Sequence, residues 1–514
     1  MAGATIAAHL LERGHGPVTM LEAGPPVAMR DRRTWLDYVT ANKEPFEAFA
    51  DAAQDLENVG DTEITSVQSR LWGRGGSTLH WGGWCPRLQP EDFALYSATG
   101  RGVDWPITYD DLEPYYCDAE AVLQISGDSS ADARPRRSRP YPQPAVAWTM
   151  VDRLTIAALD RLGYAHGRMP VARNVRPANG QAACTTIGTC LYCPTGARFS
   201  ADQQLDTLER HGAFRLRTGA AAQRVTMADK QRAAGVEYVD VATGRVKHIA
   251  ADHVILCAGA IETPKLLLAS ACVEWPQGVG NDTDHVGRHL QTHPRLTSIG
   301  RAARNRSLLA QELEFPTLCS RQFDGPADQA TGKMMIRVGG PLIEAGRLIA
   351  EGRPREEVEA AVRGENTFLL LGLLELVPTE DRENRIMLAP GRNRFGAART
   401  RIKFHWESQA RPVATAQINR LDQILVALGY EPQRSAIGSP PSPGFEFAFR
   451  ADHALATCRM SATAETGVVD RDLRIHGTSN LFVCSNAVHP TGGCVNPTLT
   501  TTALAVRLAE HLAA

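Results

Sequence analysis

Residues 3–24 restrict the fold more than any other stretch. Gly3 to Arg13 reads as a helix, Gly14 and Gly16 mark a turn, and Val18 to Glu22 has the apolar pattern of a parallel strand that ends on an acid. That order is the second half of a dinucleotide-binding βαβ unit, in which the acid at the strand end holds ribose hydroxyls. The first half is absent: no strand precedes Gly3, and the first two glycines of Gly-x-Gly-x-x-Gly would lie before Met1. The segment also fits an ordinary surface helix followed by a strand. A parallel strand needs a paired neighbour, because unpaired buried backbone groups are costly. The expectation is therefore that Met1 stands in place of an internal residue of the motif. The full protein would then carry roughly ten or more further N-terminal residues, enough for one strand and the first glycine turn.

The C-terminal sixty residues carry the chemistry. They contain His453-Ala-Leu-Ala-Thr-Cys458-Arg459-Met460, Val488-His489-Pro490-Thr491 and Val495-Asn496-Pro497-Thr498, the last opening a helix from Leu499 to Leu512. A helix N-terminus exposes unpaired N–H groups and partial positive charge, which suits an anion or a reduced, negatively charged ring. A neutral imidazole beside it can take a proton from an alcohol. Alcohol deprotonation next to an electron-poor ring is flavin alcohol oxidoreductase chemistry. A packed histidine bonded to backbone is the alternative for His453, and its motif favours the base.

With 514 residues, 43% hydrophobic and 22% charged, the chain can build a large core in two or three domains. A net charge of −2 argues against a nucleic-acid partner held by bulk electrostatics. No run of 18 apolar residues predicts a transmembrane span. The stretches near 1–120, 195–300 and 450–514 are glycine-rich and strand-like, whereas 301–450 is more polar. Thr367 to Leu376 and Arg399 to Trp406 read as strands, Arg411 to Leu428 as a helix, and Glu351 to Arg363 as a charged, solvated helix. Ser126 to Pro144 reads as an irregular excursion.

Four motifs occur in order: the Gly3 to Gly24 half-unit, Trp72-Gly-Arg-Gly75-Gly76-Ser77-Thr78-Leu-His80-Trp81, Val254-Ile-Leu-Cys-Ala258-Gly259-Ala260-Ile-Glu-Thr263-Pro264, and the C-terminal loops. Val286-Gly287-Arg288-His-Leu290-Gln-Thr-His293-Pro294 lies between the last two. With these, the chain resembles the glucose–methanol–choline family of flavin oxidoreductases over nearly its whole length. The resemblance implies an α/β, Rossmann-like FAD-binding domain formed by residues 1–120, 195–300 and 451–514. It implies a discontinuous α+β substrate domain, built on an antiparallel sheet, from 121–194 and 301–450. It implies FAD, hydride transfer to flavin N5, His453 as catalytic base and Asn496 as its partner. Gly3, Glu22, Gly75, Gly76, Ser77, His80, Val225, Ala258, Asn486, His489, Pro497 and Thr498 are expected at the cofactor. Glu22 would hold the adenosine ribose, and the Val225 backbone would meet adenine. The histidine type at His80 permits a covalent bond to the flavin without establishing one. His489 fits packing and active-site lining equally. Ser485-Asn486 departs from the Asp-Ala pair often found there.

Cys184, Cys190 and Cys193 lie within ten residues, the last followed by Pro194. Such spacing suits an iron–sulfur cluster, and the segment resembles that of the family's dehydrogenase branch, with one residue fewer between the last two cysteines. Structural thiols fit equally, with a disulfide or zinc site as lesser readings. The sequence therefore points to FAD-dependent oxidation of a secondary alcohol on a sugar or glycoside, with electrons passed to an acceptor other than oxygen. A sugar oxidase of the pyranose oxidase type and a non-catalytic flavoprotein-fold subunit are the alternatives. A cytochrome or small companion subunit is the expected redox partner. The expected location is cytoplasmic, or periplasmic by export with that partner.

Overall fold

The computed structural model describes residues 1–41, 55–64, 69–129, 135–185, 189–302, 317–324, 333–338, 348–349, 352–362, 367–375, 382–405, 410–432, 445–449 and 451–514. Small residues set the N-terminal helix Ala2–Glu12 close to its neighbours: Ala2, Ala4, Thr5 and Ala7 are buried along it. It packs against the last helix, Thr498–Ala513. Strand Val18–Glu22 pairs in parallel with Phe214–Thr218, and Val254–Leu256 pairs in parallel with Leu481–Val483. Among the described residues these two ladders do not share a strand. An antiparallel sheet of Ala220–Met227, Ala233–Asp240 and Arg245–Ala250 completes this part. One core joins Ile6, Val254, Leu256, Leu481, Val483 and Leu504.

The second body is built on a seven-stranded antiparallel sheet. Its centre is Pro294–Ala302, flanked by Thr367–Glu375 and then Lys333–Val338, and also paired with Phe445–Phe449. Period-two alternation sorts its faces. Leu296, Met334, Ile336 and Leu370 pack against helices Met150–Leu162 and Ala410–Ala427 through Val151, Leu421 and Leu425. Arg295, Thr297, Arg337 and Leu371 turn the other way, onto the cavity described below. The hairpin Arg385–Arg392 and Ala398–Lys403 pairs instead with Leu56–Asn58, and Ile386 and Ile402 join the first core. No helix among the described residues is long and apolar enough to cross a membrane.

Candidate active site

A cavity of about 1300 Å³ runs from the N-terminal helix to the large sheet. At one end the antiparallel register brings two histidines together. Pro294 pairs with Phe449, and Gln291 bridges Leu455 through N–H···O bonds of 3.2 and 2.9 Å. His293 and His453 fall between these two fixed points. Their Nδ1 atoms lie 3.0 Å apart and their rings cross at 86°. On the far side of His453, Nε2 sits 3.1 Å from the Asn496 amide nitrogen. Asn496 stands two residues before helix Thr498–Ala513, so the helix end and the imidazole meet at one place.

Two nitrogens in contact can share only one proton. If Asn496 donates to His453 Nε2, that nitrogen is the acceptor and Nδ1 carries the proton, donated to His293. In that tautomer the Nε2 lone pair accepts from Asn496, so a hydroxyl that displaces the amide from Nε2 would meet the basic nitrogen. Burial holds His453 well below the ordinary histidine range, and His293 is lowered to about 4 by burial first. Both are therefore neutral at neutral pH. Asn496 Oδ1 is buried and has no hydrogen-bond partner among the described residues.

Gly75 and Gly76 adopt φ of +110° and +59°, and a Cβ on Gly75 would meet Leu79 Cδ2 at 2.9 Å. This loop is clamped from behind: Arg198 donates to the Thr78 and Leu79 carbonyls at 2.6 and 2.7 Å. Gly3, Glu22, Gly75, Gly76, Ser77, His80, Ala258, Asn486, Asn496 and Thr498 all line the cavity. Asn486 Oδ1 accepts from Thr501 at 2.6 Å. Val225, His489 and Pro497 lie off its wall. The Val225 N–H is taken by Ser270 Oγ at 2.8 Å, while Ala220 to Gln223 reach the cavity. His489 is buried against Trp105 and bonds Thr501, and burial lowers it to about 3. These are the surroundings of a packed histidine.

Arg295, Arg337, Asp452 and His293 line or support the site without having been singled out by sequence. Only the His293-Pro294 pair stood in a motif. The arginines and Asp452 come from strands and a turn with no local signature.

Among the described residues the three cysteines are not grouped as a metal centre. Among the described residues no three His, Cys, Asp or Glu side chains are grouped to hold an ion, and every cysteine is a free thiol. Cys190 Sγ accepts from Arg173 at 3.2 Å inside an apolar cluster with Trp84 and Met169. Cys193 faces Thr195 and the Arg198 N–H; burial raises its thiol, and the Arg198 charge with these bonds outweighs that and lowers it. Cys190 and Cys193 are each engaged by a different neighbour, an arrangement that does not favour an iron–sulfur cluster. Iron analysis of flavin-loaded protein should read far below one atom per flavin. Stoichiometric iron and sulfide, both lost in Cys190→Ser with flavin retained, would reverse this.

Two sequence profiles of the GMC oxidoreductases match residues 74–295 and 379–505. The 6'''-hydroxyparomomycin C oxidase of Streptomyces lividus is 30% identical over 86% of this chain and 79% of its own. The chain belongs to the GMC oxidoreductases. The fructose dehydrogenase large subunit of Gluconobacter japonicus is 26% identical over 99% of this chain and 95% of its own. Among solved structures, pyridoxine 4-oxidase from Mesorbium loti covers 99% of the chain at a TM-score of 0.65 and 18% identity, which speaks to fold. This GMC oxidoreductase thus has the family's Rossmann-like FAD-binding fold and is an FAD-dependent enzyme of CH–OH groups. The glycine loop, the carboxylate of Glu22 and the cavity between them fit that cofactor.

Proposed function

We propose that this enzyme oxidises a secondary alcohol of a sugar or glycoside to a ketone and passes the electrons to an acceptor other than oxygen. The observation that carries the reading is the His453–Asn496 pair, 3.1 Å apart on a cavity it shares with the glycine loop. FAD, when bound, supplies the hydride acceptor. Residues Gly75 to Ser77 and Asn486 would lie along it, and Glu22 would take its ribose hydroxyls. His453 Nε2 would accept the hydroxyl proton, and the Asn496 amide would hold the alcohol oxygen in line. A sugar is favoured by relatives named for fructose, gluconate and paromamine. The name of the Gluconobacter relative as a large subunit supports a companion redox subunit here. Two relatives named as oxidases support oxygen as the second reading for the acceptor. Dye reduction against a sugar panel, with and without oxygen, separates these. A flavin-loaded enzyme that no sugar reduces would end the sugar reading. Acid precipitation, which releases only unbonded flavin, tests His80 as a covalent anchor.

Glu22 gives a pH prediction. Its carboxyl accepts the Gly24 N–H at 2.8 Å, and burial pushes it up to about 7. A ribose hydroxyl needs the ionised acceptor, so binding must first remove the proton when pH is below that value. FAD affinity of the apoprotein should fall as pH drops below about 7, by at most about tenfold per unit, and hold level above it. Glu22→Gln should flatten the profile. A parent whose dissociation constant ignores pH across this range would remove Glu22 from the ribose.

A further inference from the structure

On the central strands of the large sheet and the neighbouring Leu318–Phe323, the largely enclosed cations include Arg295, Arg321, Lys333 and Arg337. Three are matched by acids. Arg295 pairs with Asp452, Arg321 with Asp324, and Lys333 with Asp92. Arg337 is the exception. It is 3% exposed, and its Nε and Nη1 are buried with no hydrogen-bond partner among the described residues. Its guanidinium lies 3.8 Å from the centre of the Trp84 ring. Stacking occupies the face of the guanidinium and leaves its N–H donors in plane.

The register places Arg337 on the substrate side of the site. Thr297, Leu371 and Arg337 form one row across three strands, and all three line the cavity that holds His453 and Asn496. Arg295 lies two residues from Thr297 on the same face, and its acid is already spent on it. The wall therefore offers two guanidiniums and one carboxylate. Burial, then Arg295, lowers Arg337 to about 9, which still leaves it charged at neutral pH. A buried charge without a counter-ion is costly to a fold and persists where a ligand supplies the opposite sign.

We propose that Arg337 is the subsite for an oxyanion of the substrate, so that the alcohol presented to His453 belongs to an acidic sugar. The inference rests on the sugar reading above and narrows it. A carboxylate, as in aldonates and uronates, and a phosphate ester offer the same chemistry to a guanidinium.

The test uses the flavin-loaded enzyme and matched panels: neutral hexoses, aldonates and uronates, and sugar phosphates. At least one acidic class should show a higher kcat/KM than its neutral parent, and which class does so identifies the anion. Removing one partner of a buried charge pair typically weakens binding about 30-fold or more. Arg337→Gln should therefore raise KM for that class by about this factor relative to the neutral sugars, with kcat changed much less. Arg337→Lys should recover part of the loss. Should Arg337→Gln fail to fold, the parent enzyme still decides: acetate or inorganic phosphate should compete with the acidic substrate and protect the enzyme against thermal unfolding. Neutral sugars preferred by the parent enzyme, with no anion competition, would overturn the subsite and leave the sugar reading standing. Turnover of acidic alcohols that are not sugars, with no sugar accepted, would keep the subsite and overturn the sugar.

Discussion

His453→Ala is expected to slow flavin reduction by alcohol about 100- to 10,000-fold while FAD stays bound, the usual cost of losing a general base. The ring is buried, its Nε2 meets Asn496 at 3.1 Å, and no other described histidine combines that contact with the cavity wall. Stopped-flow reduction under excess substrate reads the step directly, and the visible flavin spectrum reports retention of cofactor. Reduction within about tenfold of the parent would refute the role. The same ring predicts the acid limb. The neutral imidazole is the active form, and burial depresses its pKa well below 6.5. The rate should therefore hold as pH falls through the ordinary histidine range and drop only at lower pH. An inflection at 6.5 or above would show that His453 is not in the desolvated setting described.

His293→Leu is expected to produce the second-largest loss, on the order of 100-fold; loss of tautomer control in the serine-protease triad costs up to about 10,000-fold. The reason is the 3.0 Å contact between the two Nδ1 atoms. His293 acts through His453, as a positioning residue: with its acceptor present, the proton stays on Nδ1 and the lone pair on Nε2. Leucine keeps apolar bulk and removes the acceptor, leaving both tautomers open. Asparagine places Oδ1 as many bonds from Cα as His293 Nδ1 and restores an acceptor. His293→Asn should therefore recover most of the rate. Both variants should keep FAD bound, since His293 is not among the residues lining the cofactor cavity. Equal rates in the leucine and asparagine variants would reduce His293 to packing.

Local pattern announced much of this molecule. The helix expected from Gly3 to Arg13 spans Ala2–Glu12, that from Arg411 to Leu428 spans Ala410–Ala427, and the strand from Thr367 to Leu376 spans Thr367–Glu375. Periodicity carries such elements because each buries one face, whatever its partner. Ser126 to Pro144 was legible only as irregular. Its described residues are tied down by Arg137 on Glu120 and by Arg139 on Asp118 at 2.7 Å, and such pairing has no sequence period. The cysteine spacing left a cluster and structural thiols equally open for a related reason. Spacing fixes how far apart thiols can be, and the loop chooses where each points; here Arg173 and Arg198 claim two of them.

By itself the sequence determined the family, the flavin, and the pairing of His453 with a residue ahead of the last helix, because these lie in contiguous motifs. Tertiary structure decided what surrounds them. His293 reaches His453 only because Pro294 pairs with Phe449 and Gln291 with Leu455, contacts that span about 160 residues. Arg337 becomes a cation facing the cavity only because three strands bring it into register with Leu371 and Thr297. A charge on one strand acquires its meaning from what the neighbouring strands fail to put opposite it, and that is a property of the assembled sheet.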